Sequence, residues 1–387
     1  MSEGAAVPYE LFTPGHEAFR KELREFFSAE LIPHVDRWEE AGEFPRELFG
    51  KMGERGYLGL PYPQEYGGKE ADFPTLIVLA EELARGNSAG VASAIFAHSV
   101  MSCLPLHLLG TEEQKRRFLV PAIKGGRIGA LAITEPDAGS DASAIETSAL
   151  KDGDGYVVNG SKMFITNGTH ADFVVLTAKT DKTGGPLGIS LFVVEKGTPG
   201  FSVKRKLEKM GHHTAGTAEL AFEDVRVPKE NLLGREGRGF HRVIRNFEAE
   251  RLVISARNVA SAQQVFEWTL DYAKRRKAFG KTIGSFQVIA HKLADMATEI
   301  EACRQLVYST VAKFSAGKRC AKEIAMCKCH SGEMANRVCY AATQIFGGYG
   351  FLKEFPVERA FRDARAGTIT GGTTEIMKEI IRRELRL

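Results

Sequence analysis

One unbroken helical pattern constrains the fold more than any other feature of the sequence. It lies within residues 242–287, opens at the acidic cluster 247–251 and closes on the basic and aromatic segment 275–280. Apolar residues recur between these ends at steps of three, four and seven, without a Gly or Pro, which predicts one long amphipathic helix: Leu252, Ala256, Val259, Phe266, Leu270 and Ala273. At about 1.5 Å per residue, Glu250 and Arg276 would lie roughly 39 Å apart. One small reaction centre cannot contact both, so the far end must hold a remote part of a long cofactor or serve a neighbouring subunit.

Length and composition limit the classes of protein that this chain can be. At 387 residues, and with roughly 100 to 200 residues per domain, the chain should form two or three domains. An apolar content of 43% and a charged content of 26% are typical of a soluble globular protein. The net charge of +3 is spread without a long basic run, which argues against nucleic acid or an anionic membrane as a partner.

The sequence gives no sign of export or membrane insertion. On the sequence alone we expect no apolar run of the ~20 residues that span a bilayer, and residues 1–10 lack the pattern of a signal peptide. We therefore expect a cytoplasmic protein, with a mature mitochondrial form as the alternative. Six cysteines clustered late in the chain predict reduced thiols, and the Cys327, Cys329 and His330 group has the wrong spacing for zinc, so we expect no metal site.

The texture of the chain changes twice, which predicts a mainly α fold with a β insertion. Residues 1–126 show helical spacing and form a predicted N-terminal α-helical domain. Residues 127–233 carry short β-branched runs between Gly, Asp and Asn turns, and form a predicted middle β-barrel or sandwich domain. Residues 234–387 return to long helices, which favours a C-terminal four-helix bundle.

Four short segments carry residues that could contact a ligand. Residues 131–141 leave a strand and enter a loop whose small residues would let backbone and hydroxyls approach a ligand, although a plain turn explains the loop equally well. Residues 162–168 place an aromatic and a hydroxyl before a turn, where a buried strand is the simpler alternative. Residues 344–350 end a helix in glycines, and 367–375 precede the last helix, whose N-terminus can bind an anion or a carbonyl oxygen.

Five motifs occur in an order that resembles the acyl-CoA dehydrogenase family over essentially the whole chain. They are TEP-AGSD, KMFITNG, a Glu-Arg-Leu helix ending in RRKAFGK, QIFGGYGF, and RDAR followed by GGTTEIMKEIIRREL. Together they are far more specific than any one alone. The resemblance implies a homo-oligomeric flavoprotein, a homotetramer in our expectation, that binds FAD and acyl-CoA and passes electrons to an electron-transferring flavoprotein.

The resemblance also implies roles for individual residues. The flavin of the same subunit would be contacted by Leu131, Ile133, Thr134, Gly139, Ser140, Phe164, Ile165 and Thr166. The FAD of the neighbouring subunit would be held by Arg276, Phe279, Gln287, Gln344, Ile345, Gly347 and Gly348, and FAD would be capped by Thr373 and Glu375. The acyl-CoA would be contacted by Ser140, Phe247, Glu248, Arg251, Gly372 and Arg383.

One departure from the family pattern bears on catalysis. Many members have a glutamate base where this chain has Gly371, whereas members that resemble the isovaleryl and long-chain types place it before an Arg-Leu pair, here at Glu250. Dehydrogenation of a thioester requires a carboxylate that removes the α proton, while flavin N5 accepts the β hydride. The backbone N–H of Gly371 can still donate to the thioester oxygen. The alternative without a catalytic role is that Glu250 is a solvated acid in the first turn of a helix, where it interacts favourably with the helix dipole.

Three functional hypotheses remain open at this point. The first is α,β-dehydrogenation of an acyl-CoA to a trans-2-enoyl-CoA, with Glu250 as the base. The second is an acyl-CoA oxidase that uses dioxygen. The third is an inactive flavin- or acyl-CoA-binding protein. The length, branching and ring content of the acyl group are not specified by the sequence.

Overall fold

The computed structural model describes residues 11–181 and 184–387, with side chains for all of these except 186 and 240–246. The prediction on residues 1–10 therefore lies outside the described residues. The first part of the chain is helical: α1 Pro14–Glu30, α2 Val35–Ala41, α3 Glu47–Glu54, α4 Phe73–Ala84, α5 Ala89–Phe96, α6 Cys103–Leu109, α7 Glu112–Gln114 and α8 Val120–Ile123. Helix α1 begins after Thr13, whose hydroxyl accepts from the His16 amide, and α4 after Asp72, whose carboxylate accepts from Thr75.

Helices α5 and α6 are joined by a π-helical stretch, Ala97–Ser102, into one run from Ala89 to Leu109. This run is long and apolar enough to cross a membrane, contrary to the expectation from sequence. However, 78% of its most apolar window is buried inside the fold, which is the usual condition of a core helix in a globular protein.

The middle of the chain forms an eight-stranded sheet. Its strands are β1 Gly129–Ala132, β2 Ser148–Asp152, β3 Gly155–Ile165, β4 Phe173–Lys179, β5 Ile189–Glu195, β6 Phe201–Lys206, β7 Ala218–Pro228 and β8 Leu232–Leu233. The order is β6-β7-β3-β2-β4-β5-β8, with β1 pairing in parallel with β4 from Gly129 opposite Phe173. Within the described ranges the sheet stays open, so the sandwich alternative is confirmed and the closed barrel is not.

The two faces of this sheet have different partners. One face, which includes Val158, Leu176 and Phe192, folds onto itself and forms its own apolar core. The other face, which includes Leu131 and Val175, packs against the N-terminal helices. Because successive strand residues point to opposite faces, the same short strands serve both cores. The C-terminal end of β1 is therefore held by its pairing within the sheet and by packing against the N-terminal helices.

The last part of the chain is again helical: α9 Gly239–Arg275, α10 Gln287–Ser315, α11 Ala321–Phe346, α12 Pro356–Ala364 and α13 Thr374–Glu384. Helix α9 is one continuous element of 37 residues, which confirms the predicted continuity, and its apolar face packs with α10, α11 and α4 in a common core. It begins at Gly239, eight residues before the acidic cluster 247–251 that was expected to open it, so Glu250 does not lie in its first turn. It ends where Arg276 turns to an extended conformation (ψ 130°) and enters a two-stranded hairpin, β9 Lys277–Ala278 with β10 Lys281–Thr282. The mainly α architecture with a β insertion is confirmed.

Candidate active site

Glu250 of α9 lies beside the glycine turn that precedes α13. A Cβ atom built on Gly371 would lie 3.9 Å from Glu250 Oε1 and 2.8 Å from Ile254 Cδ1. The Glu250 side chain therefore reaches the position that a residue at 371 would otherwise occupy. Gly371 has φ +68°, a left-handed conformation that favours glycine.

The Glu250 carboxyl group is buried and incompletely hydrogen-bonded. Only 8% of the residue is exposed, and its Oε2 atom has no hydrogen-bond partner among the described residues. Burial raises the pKa of Glu250 to about 7, against the opposing charges of Arg251, Arg257 and Lys328. A carboxyl group that titrates near neutrality and lacks a partner is suited to accept a proton from a ligand.

Two cations, one partly buried and one buried, hold the glycine turn in place. The Nε atom of Arg251 donates to the Gly371 carbonyl at 3.1 Å, and the Nζ atom of Lys328 donates to the Gly372 carbonyl. Lys328 is fully buried, and burial lowers its pKa to about 8. Thr373 caps α13 by accepting from the Ile376 amide, so the turn is fixed on both sides.

A second buried network fixes the loop after β1. The Lys162 ammonium donates to the Ile133 carbonyl at 2.9 Å, to Glu135 Oε1 at 2.8 Å and to the Thr177 hydroxyl at 3.1 Å. Burial lowers the pKa of Lys162 to about 8. Burial would raise the pKa of Glu135, but Lys162 and the amides of the following loop outweigh it and lower that pKa. The network ties β1 to β3 immediately beside Thr134.

Phe164 is displaced from its strand onto the surface. Strand β3 changes register between Lys162 and Ile165, and Phe164 takes φ +61°, which is strained for an aromatic residue. The residue is 64% exposed. The Met163 amide donates to the Thr134 carbonyl at 2.8 Å, so Phe164 and Thr134 lie at one edge of the sheet. The prediction that both belong to one ligand site agrees with this placement.

The far end of α9 carries a second group of predicted residues, which the structure also brings together. The Arg276 guanidinium lies 5.4 Å from the centroid of the Tyr349 ring, which follows the glycine pair at the end of α11. Tyr272 stacks on Phe346 with centroids 4.1 Å apart. Phe279 is 95% exposed with φ +51°. The end of α9 and the end of α11 therefore form one open surface.

The remaining predicted residues fall into three groups. Exposed positions are Gly139, Ser140, Gln287, Gln344, Gly347, Gly348, Glu375 and Arg383. Partly buried positions are Thr166, Phe247, Glu248 and Gly372. Buried positions are Leu131, Ile133, Ile165 and Ile345, and all four lie in apolar cores. Arg383 lies eight residues beyond Glu375, roughly 12 Å along α13.

Sequence reasoning missed several site residues, above all Lys328. It lies between Cys327 and Cys329, where attention went to metal ligation, and no group of three or more metal-ligating residues is present in the described ranges 11–181 and 184–387. Lys328 is 44 positions from Gly372, so local spacing could not reveal the contact. A lysine inside an otherwise apolar helical face was the available signal.

Three comparisons with known proteins bear on this arrangement. The chain matches the acyl-CoA dehydrogenase N-terminal domain over residues 13–126, the middle domain over 130–225 and the C-terminal domain over 237–386. An acyl-CoA dehydrogenase of Bacillus subtilis is 42% identical over 366 residues, covering 95% of this chain and 96% of that protein. The mitochondrial long-chain specific acyl-CoA dehydrogenase of Sus scrofa is 42% identical, covering 97% and 87%.

A solved structure agrees with these matches of sequence. The crystal structure of an acyl-CoA dehydrogenase from Geobacillus kaustophilus is 43% identical, with a TM-score of 0.95, and covers 98% of this chain and 100% of that one. A 40% identical relative from Acetobacterium woodii, covering 96% and 98%, is a subunit of a caffeyl-CoA reductase-Etf complex. The chain belongs to the acyl-CoA dehydrogenase family, whose members are flavoproteins, and it is an enzyme of that class.

Proposed function

We propose that this enzyme removes the α proton and the β hydride of an acyl-CoA thioester, giving a trans-2-enoyl-CoA, with Glu250 as the base. The observation that carries the proposal is the partner-free carboxyl oxygen of Glu250, which is buried beside the glycine turn at Gly371. A pKa of about 7 lets Glu250 be ionised at neutral pH and still retain basicity. Within the described residues, no other buried carboxyl group lies at this turn.

The residues around Glu250 would fix the thioester and the base. Arg251 and Lys328 hold the carbonyls of Gly371 and Gly372, which keeps the turn rigid and leaves the Gly371 N–H to donate to the thioester oxygen. Preorganised donors of this kind stabilise the negative charge that develops when the α proton leaves. Phe247 packs against the apolar cluster that includes Leu131 and Ile133, which would close the site towards the sheet.

FAD fits two surfaces, one on the sheet beside this centre and one at the far end of α9. Strained, exposed Phe164 beside Thr134 offers a platform for a flat ring, and Thr374 Oγ1 is buried without a partner at the start of α13. At the far end of α9, a Cβ on Gly347 or Gly348 would meet open space, and Arg276 stands beside them. When bound, FAD would supply the acceptor for the β hydride.

We further propose that the far end of α9 completes the FAD site of a neighbouring subunit, that the enzyme is a homotetramer, and that an electron-transferring flavoprotein takes its electrons. The roughly 39 Å between Glu250 and Arg276 supports the first statement, and the Etf-linked relative supports the last. Domain boundaries after residues 126 and 233 stay predictions, as do a cytoplasmic or mitochondrial location and the residue roles assigned above.

Anaerobic mixing of the purified yellow protein with a panel of acyl-CoAs tests the proposed function. We expect at least one saturated acyl-CoA to bleach the flavin absorbance and to yield the enoyl-CoA, with slow oxygen consumption in air. Rapid oxygen consumption would identify an oxidase. A flavin that no acyl-CoA bleaches would identify a binding protein without this activity.

A further inference from the structure

One face of α9 leads from the base into the protein. Glu250, Ile254 and Arg257 follow one another at steps of four and three, which places them on the same side of a helix. The Cδ1 atom of Ile254 would lie 2.8 Å from a Cβ atom built on Gly371. Both Ile254 and Arg257 are partly buried. Arg257 lies roughly 10 Å along the helix from Glu250. Helical side chains lean towards the N-terminus, which brings its guanidinium closer to the base.

The guanidinium of Arg257 is only partly hydrogen-bonded. Its Nη2 atom donates to the Ala89 carbonyl at 3.2 Å and to the Ser93 hydroxyl at 3.0 Å, and its Cζ atom lies 5.9 Å from the centroid of the Phe96 ring. Its Nε atom is buried and has no partner in the part of the chain that the structure describes. A guanidinium carries five N–H donors in a fixed plane. The Nε–H of Arg257 can therefore still donate to an acceptor on a ligand.

Charged groups of both signs surround Arg257. Burial lowers its pKa to about 10, while Asp363 and Glu250 act in the opposite direction from a distance. The Asp363 carboxylate already accepts two main-chain amides, and Glu250 also interacts with Arg251 and Lys328. Neither carboxylate is a hydrogen-bond partner of the Arg257 Nε atom.

We propose that Arg257 binds the distal end of the acyl group and that this end is a carboxylate. The inference rests on the proposed function and specifies its substrate class as the CoA thioesters of dicarboxylic acids. A distal carboxylate would supply the acceptor that Nε lacks, in a charge-assisted hydrogen bond. A plain alkyl end would leave the buried Nε–H without a partner. The Ser93 hydroxyl, which bonds Nη2, is placed to support the guanidinium.

The test compares chain-matched substrates of the complete FAD-loaded enzyme. We expect kcat/KM for adipyl-CoA to exceed that for hexanoyl-CoA, with glutaryl-CoA and pimeloyl-CoA defining the best length. Replacing Arg257 by Met keeps the length of the side chain but removes its charge. In Arg257→Met the adipyl-to-hexanoyl ratio should fall about 30-fold or more, as for other truncated buried charge pairs. Arg257→Lys should recover part of the ratio, and the exposed control Arg226→Met should leave it unchanged.

Four results would overturn the inference. An unchanged ratio in Arg257→Met would make Arg257 a structural link between α9 and α5. If Arg257→Met does not fold, the wild-type enzyme decides: a preference for hexanoyl-CoA over every dicarboxylic thioester rejects the proposal. If hexanoyl-CoA and the dicarboxylic thioesters all leave the flavin oxidised, the inference is rejected, and the proposed function fails with it only when no other saturated acyl-CoA of the panel bleaches the flavin. Flavin bleaching by hexanoyl-CoA alone would reject only the carboxylate.

Discussion

Two regions of α9 differ in how far they are buried within the single chain. The first end is the region around Glu250, and the second end is the exit of the helix at residues 276–279. At the first end, Glu250 is 8% exposed, and two cations of the same chain fix the turn that it faces. At the second end, Phe279 is 95% exposed with a strained backbone, and Gly347 and Gly348 face open space. One end holds the proposed reaction centre, whereas the other has the residues of the proposed binding surface but leaves them exposed.

Because of this difference, covering the exposed end would lower its free energy. A phenylalanine gains about 1.5 to 3 kcal/mol when it is fully buried, and a non-glycine residue at positive φ costs about 1 to 3 kcal/mol. Phe279 carries the second contribution without the first in the isolated chain. Covering it with a cofactor or another subunit would recover that free energy, so we expect cofactor retention and assembly to be coupled.

The largest effect is expected at the buried end. Glu250→Gln keeps the shape of the side chain but cannot abstract a proton, so anaerobic flavin reduction should slow by about 10²- to 10⁴-fold while FAD and acyl-CoA still bind. Glu267→Gln makes the same chemical change on the same helix at an ion pair with Arg85, where we expect little effect. Stopped-flow absorbance of the flavin measures both variants. A parental rate in Glu250→Gln would show that Glu250 is only a helix acid.

At the exposed end, the double variant Arg276→Ala with Phe279→Ala should weaken FAD retention and subunit assembly together. Two residues central to a contact are typically worth 2 kcal/mol or more, which corresponds to about 30-fold or greater loss of affinity. Flavin-to-protein ratio after gel filtration, with the oligomer measured by light scattering, reports both properties. Leu150→Ala removes a half-exposed apolar side chain on β2 and serves as the control. Full FAD occupancy in a monomer would contradict the coupling.

Moving the base tests how specifically the first end is built. Adding Gly371→Glu to Glu250→Gln should restore only part of the rate, because residue 371 has φ +68° and a Cβ there would lie 2.8 Å from Ile254 Cδ1. Strain of this kind costs about 1 to 3 kcal/mol. A further Ile254→Ala change should improve the rescue, and the rescued enzymes should favour short, unbranched substrates. No gain from Ile254→Ala would show that backbone strain, rather than Ile254, limits the rescue.

The smallest effect is expected in the pH profile. Glu250 acts when ionised, and burial raises its pKa to about 7, so kcat/KM should fall as the pH drops below about 7. The positive charge of Lys328 lowers that pKa, so Lys328→Met should move the acidic limb to higher pH. The limb should vanish from the residual rate of Glu250→Gln. An unshifted limb in Lys328→Met would limit Lys328 to holding the Gly372 carbonyl.

Periodicity predicted the elements, whereas contacts between distant segments had to be seen. The apolar repeat of α9 has no interruption, so its continuity followed from the sequence. The apolar length of the run from Ala89 to Leu109 was underestimated from the sequence, because polar residues interrupt a helix that is largely buried. Lys162 with Glu135, and Lys328 with Gly372, join residues 27 and 44 positions apart, and no local pattern encodes such pairs. The family resemblance found the motifs, which include Lys162, but not the contacts by which Lys162 and Lys328 hold them.

The most direct test of the whole account is complementation between the two ends of α9. Glu250→Gln and the Arg276→Ala, Phe279→Ala double variant are coexpressed with different tags, and oligomers that carry both tags are isolated. If the far end serves the neighbour, the subunit with an intact base receives FAD contacts from the partner with an intact far end, and flavin reduction should return to about half the parental amplitude. If each α9 serves only its own subunit, the mixed oligomer would be no more active than its two parents, and the account would be wrong.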